Sequence, residues 1–184
     1  NGNMICYFTE KDTAYCYKET IINNKKISKV YFPKREKKDT RGRFLTNNNI
    51  IPFDAIAHLR FKGKLLIIKS FKDYILLIYI LNELGIYDID VAPITSETVV
   101  FNDYFIKNIL NKYDTIYTLL DFDWQGVVTS NSLRKRINSI PLFFTNGRFN
   151  TLKFSGKDLA EVLANSEYDN VLSIITSVYD KYRT

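Results

Sequence analysis

The chain has 184 residues, 46% of them hydrophobic and 25% charged, with a formal net charge of +6. That balance excludes a disordered chain and leaves room for one core domain plus a smaller subdomain. The longest apolar run, Tyr74 to Leu81, is flanked by charges and too short to cross a bilayer, so no membrane association is expected.

No secretory signal is visible, and Asn1-Gly2-Asn3 reads as a cut or tag remnant, so an excised piece of something larger is expected. Cys6 and Cys16 form no C-x-x-C pair, and the single histidine, His58, lies far from them. No zinc is expected; two reduced thiols facing the core of a hairpin fit a cytoplasmic location. His58, between Ala57 and Leu59, reads as a structural polar residue.

Residues 1–62 are expected to form a β-rich, basic N-terminal subdomain. Met4 to Phe8, Ala14 to Ile22, Lys26 to Phe32 and Arg43 to Thr46 are rich in β-branched and aromatic residues, with Asn23-Asn24 as a hairpin turn. Between the last two strands lies Lys34-Arg35-Glu36-Lys37-Lys38-Asp39-Thr40-Arg41-Gly42-Arg43, with six cations in ten residues. Such a run is usually a solvated loop. Flanked by Tyr31, Phe32 and Phe44, it also suits nucleic acid, by phosphate neutralisation with some base stacking. A short helix is expected around Phe53 to Leu59.

From Gly63 onward strands alternate with helices, which predicts a mostly parallel sheet with helices on both faces. Strands are expected at Lys64 to Lys69, Ile86 to Ala92, Thr115 to Leu120 and Ile140 to Phe144. Ser70 caps a helix that Gly85 ends; Ser96 or Asn102 caps one ending near Lys112; another follows Gly126. Lys157 to Ala164 and Tyr168 to Tyr182 are closing helices. Ligands of such sheets lie beyond the carboxyl ends of the strands.

At one such end stands Leu120-Asp121-Phe122-Asp123-Trp124-Gln125-Gly126. Two carboxylates two residues apart leave a strand on the same side, and carboxylates that crowd each other need a cation; hard oxygen ligands suit Mg²⁺ or Mn²⁺. Gly126 is expected to let the backbone turn before the helix. Three further polar features belong to the same sheet edge: Lys69-Ser70-Phe71-Lys72-Asp73, Thr95-Ser96-Glu97 and Ser155-Gly156-Lys157-Asp158. Each alone is an ordinary helix start or cap; their order and spacing around the Asp-x-Asp pair make the pattern.

That pattern resembles the Toprim domain of bacterial and phage DNA primases. Asp121-Phe122-Asp123-Trp124-Gln125-Gly126 matches the family's Asp-x-Asp-x-x-Gly, and Lys157-Asp158 its late Lys-Asp. Lys69-Ser70-Phe71-Lys72-Asp73 looks like the Lys-Ser-x-Lys-Asp variant of phage primases, in which Lys69 stands where the family has a glutamate. The resemblance covers residues 63–184; Arg43-Phe44-Leu45-Thr46-Asn47 is similar to a phage primase motif.

The resemblance implies a primase catalytic core that makes short RNA primers on single-stranded DNA from ribonucleoside triphosphates. It would act with two or more Mg²⁺ or Mn²⁺ ions, and with a replicative helicase as a partner. The setting would be the bacterial cytoplasm or an infected host cell. Asp121, Asp123 and Asp158 would bind metal. Asp73 would contribute at longer range or orient Lys72 or Lys69, and Glu97 would stand in for the missing glutamate; the ordinary reading of both acids is a place at a helix N-terminus. Lys69, Lys72, Lys157, Arg41 and Arg43 are the expected nucleotide and phosphate ligands. Lys34, Arg35, Lys37, Lys38, Arg134, Lys135 and Arg136 are the expected nucleic-acid contacts, with at least one of the last three turned toward the cleft. The alternatives are a Toprim nuclease using water as nucleophile, and a degenerate module that only binds nucleic acid or a helicase.

Overall fold

The computed structural model describes residues 12–22, 25–36, 38–46, 58–61, 63–94, 100–143 and 156–181. The chain divides into two compact units, Asn1–Ile51 and Pro52–Thr184. The expected strand Met4 to Phe8, the Asn23-Asn24 turn, most of the expected helix near Phe53, and Cys6 lie outside the described residues.

The first unit holds an antiparallel sheet of β1 (Tyr15–Ile22), β2 (Lys25–Tyr31) and β3 (Phe44–Thr46), in that order. Tyr31 pairs with Tyr15 on one side and Phe44 on the other. The basic loop joins β2 to β3 and closes with a backbone bond from the Phe32 N–H to the Arg43 carbonyl, 2.8 Å. Phe32 is fully buried beneath the loop.

The second unit is α/β. Its strands are β4 (Lys64–Ile68), β5 (Ile89–Pro93), β6 (Thr115–Leu119) and β7 (Ile140–Leu142). All pair in parallel, in the order β5-β4-β6-β7. Its helices are α1 (Phe71–Glu83), α2 (Asp103–Asn108), α3 (Trp124–Ile137), α4 (Leu159–Asn165) and α5 (Tyr168–Lys181), with a 3₁₀ turn at Leu110–Lys112.

Side chains of a strand alternate between faces, and β4 feeds two cores in this way. Leu66 and Ile68 pack with Leu77 and Ile80 of α1, Val162 of α4 and Ile174 of α5. Leu65 and Ile67 pack with Phe105 of α2, Leu110 of the 3₁₀ turn and Leu133 of α3. Each fully buried aliphatic side chain of this kind contributes about 1.5–3 kcal/mol. A parallel sheet must be covered on both sides, and this one is. Among the described residues, no helix is long and apolar enough to cross a membrane.

The strand order fixes where a ligand would sit. From β4 the chain goes out to β5 on one side, then crosses to β6 on the other. Connections therefore diverge between β4 and β6, and that is where an open parallel sheet leaves a crevice at its carboxyl edge.

Candidate active site at the carboxyl edge of the sheet

Lys69 follows β4 and Asp121 follows β6, so the two flank the divergence point. Burial of Ile68 and Leu120 anchors both chain exits. The Lys69 Nζ donates a hydrogen bond to the Asp121 Oδ2. Lys157 Nζ approaches the same oxygen at 3.7 Å and the Asp123 Oδ2 at 3.5 Å. The Phe122 N–H donates to the Lys157 carbonyl at 2.7 Å, which ties the Asp-x-Asp loop to the segment before α4.

Two acids and a serine at this edge also cap helices. Asp123 Oδ1 accepts the Gly126 N–H at 3.0 Å and starts α3; Asp158 Oδ1 accepts the Glu161 N–H at 2.8 Å and starts α4. Ser70 caps α1, and its hydroxyl donates to Asp73 Oδ2 at 2.6 Å. The other oxygen of Asp73 accepts the Ala160 N–H at 3.1 Å, joining the starts of α1 and α4. Lys69, Asp73, Asp121 and Asp158 line one cavity of about 10 Å³, room for a single water, so anything larger lies across the open rim.

Two glycines permit this crowding. A Cβ on Gly126 would stand 2.1 Å from the Asp121 carbonyl oxygen. Gly126 is thus a residue of the first turn of α3, needed for close approach, and not the turn before the helix that the sequence suggests. Gly156, at φ +155°, would carry a Cβ 2.5 Å from the Val162 nitrogen. The sequence pattern includes Gly156 only as a member of Ser155-Gly156-Lys157-Asp158, and it passes over Glu161, whose Oε2 accepts the Lys157 N–H at 3.1 Å. The sequence signal for Glu161 is Asp-x-x-Glu, the spacing of a capping box.

Burial pushes the Asp121 carboxyl above its usual range, against the pull of Lys69. Burial does the same to Asp73, against its bond from Ser70. Asp123 goes the other way, lowered by the Gly126 N–H and the two lysines. Burial works against the Lys157 ammonium, but Asp121 and Asp123 hold it above its usual value. Asp121 is therefore the acid that most needs a cation, and the lysines supply it. Among the described residues, no three of His, Cys, Asp and Glu are placed to hold an ion. The hard oxygen donors suit a divalent ion in chemistry, while two ammonium groups take the charge of such an ion in the arrangement seen.

No protein family, curated protein or solved structure matches the chain. What the edge can do is read from its chemistry: carboxylates for a cation, lysines for phosphate, and three helix N-termini whose dipoles favour an anion.

The other expected site residues lie elsewhere. Lys72 is exposed on the first turn of α1, near enough to lower the Asp73 carboxyl slightly. Glu97 and Lys37 fall outside the described residues. Arg134, Lys135 and Arg136 occupy the last turn of α3, about 16 Å of helical rise from its cap. α3 runs back from the carboxyl edge, so none of the three faces the cleft as expected; Arg136 stands 3.8 Å from Asp103.

In the first unit Arg35 is a correction. It is 5% exposed, bonds both oxygens of Asp12 at 3.1 and 3.0 Å, and stacks over the Phe32 ring. A guanidinium buried in a two-point pair holds the loop together and does not reach nucleic acid. Arg41 forks onto Asp39 at 3.0 and 2.7 Å, and Arg43 bonds the Tyr31 hydroxyl at 2.7 Å. Lys34 and Lys38 are exposed, with Lys38 paired to Glu36.

Proposed function

We propose that the second unit is a Toprim-type domain and the chain a DNA primase catalytic core, joining ribonucleoside triphosphates on a single-stranded DNA template. One observation carries this reading: Asp121, Asp123, Asp158, Lys69 and Lys157 come from three distant segments to one edge, at the divergence point of a parallel sheet.

In primer synthesis a 3′-hydroxyl attacks the α-phosphate of the next nucleotide and pyrophosphate leaves. Negative charge grows on the phosphoryl oxygens and the leaving group. Asp121, Asp123 and Asp158 are not grouped around an ion in the arrangement described, so they would have to close together to hold Mg²⁺ or Mn²⁺, which would supply counter-charge to the triphosphate. Lys69 and Lys157 would then leave their carboxylates and engage phosphate oxygens. Asp73 acts through Ser70 and the start of α4, holding Asp158 in register without touching substrate. Arg41, Lys34 and Lys38 would guide the template by charge, and a replicative helicase is the natural partner in a bacterial or infected-cell cytoplasm.

The lysine pairing supports a second reading, a module that binds phosphate or nucleic acid without turnover, since the acids are already neutralised. The test is to supply single-stranded template, the four ribonucleotides and Mn²⁺. New oligoribonucleotide supports the primase; shortening of the template replaces it with a nuclease; binding alone replaces it with the module.

A further inference from the structure

Trp124 is the chain's single tryptophan and, at 83% exposure, its most exposed large apolar side chain among the described residues. Phe122, at 45%, and Val128, at 44%, are exposed on either side of it. Val128 lies one turn along α3 from Trp124, on the same helix face. The Phe122 ring leans on Phe143, centroids 5.6 Å apart. The backbone under the indole is pinned on both sides, by the Asp123 cap and by the bond from Phe122 to Lys157. A large rigid aromatic held in water, one residue along the chain from a carboxylate paired to the partly exposed Lys157, is a poor use of apolar area for folding and a good one for binding.

We propose that Trp124 is a stacking platform for a nucleobase whose phosphates lie over Lys157 and Lys69. This rests on the nucleotide reading of the acidic edge and adds what that edge lacks, a flat apolar surface for the base. The indole accepts any base, because every base has a π-face. Trp124 directly follows Asp123, whose carboxylate lies 3.5 Å from the Lys157 ammonium, so the indole starts α3 at the same edge as the lysines. Once turned from Asp121 and Asp123, Lys69 and Lys157 would give the charge complement to the phosphates, so the occupant is a nucleotide and not a greasy peptide.

The lone tryptophan reports directly. The full chain is titrated with ATP, with a 12-mer of deoxythymidylate, and with inorganic tripolyphosphate as the base-free control. Quenching is expected with the first, the second or both, and none with tripolyphosphate; which ligand quenches tells incoming nucleotide from template. Trp124→Ala should weaken the quenching ligand roughly 5- to 150-fold by fluorescence-independent calorimetry, with Trp124→Phe retaining most of the affinity and tripolyphosphate unaffected. Exposure of the side chain makes misfolding of these variants a minor concern, checked by circular dichroism. Absence of quenching by either nucleotide ligand, or equal calorimetric affinity in Trp124→Ala, overturns the platform. Primer synthesis is assayed separately: synthesis without quenching removes the platform and leaves the primase, and quenching without synthesis does the reverse.

Discussion

Asp121 is 3% exposed, and a carboxylate so placed is tolerable only with a partner. Lys69 is the nearer of its two lysines. Removing one member of a buried pair strands the other, and Lys69 is itself only partly buried. Lys69→Met is therefore expected to lower unfolding stability by about 3 kcal/mol, the low end for such pairs, with Mn²⁺ restoring part of the loss. Denaturant melts with and without the ion measure this; an unchanged midpoint would mean the pair contributes nothing net. Asp73 gives a pH test. Its carboxyl is raised in the fold, so between the unfolded value and the raised one the folded chain binds more proton. The charge of Asp73 thus opposes folding above the raised value, and that penalty is relieved as pH falls through it. Asp73→Asn lacks this term. In thermal melts the wild type should gain on the variant as pH is lowered toward the unfolded value of about 4, whereas a constant difference would contradict the assignment.

At the scale of elements, the edge is a meeting of helix starts. α1, α3 and α4 begin there with Ser70, Asp123 and Asp158 as caps. Gly126→Ala would drive a methyl into the Asp121 backbone, so a loss of about 3 kcal/mol is expected, at the upper end for overpacking. A folded variant of unchanged stability would show that the α3 start can shift away. Much of this was legible in sequence. Strand β4, strand β6 and the Ser70 and Asn102 caps follow from apolar periodicity and capping chemistry, which are local. Strand β5 begins at Ile89, later than the expected Ile86, because the Ile86 N–H instead closes α1 on the Leu81 carbonyl. The strand order was not legible, since no local signal says which strands pair. Nor was the fate of Arg35, whose partner Asp12 is 23 residues away. The placement of Arg134 to Arg136 could have been read: a residue eleven positions past a cap lies at the other end of its helix.

For the whole molecule, the acids gathered at one sheet edge and the cations set among them are a single charged device, and its value depends on whether phosphate chemistry occurs there. The excess of positive charge on the chain, +6, favours a polyanionic partner but does not choose between a substrate and a ligand merely held. The choice falls to primer synthesis on single-stranded DNA with Mn²⁺, comparing the wild type with Asp121→Asn, Asp123→Asn and Asp158→Asn. The expected result is product from the wild type and loss of most of it, on the order of 100-fold or more, in each variant that remains folded. Full synthesis by a folded Asp121→Asn or Asp123→Asn protein would contradict the account.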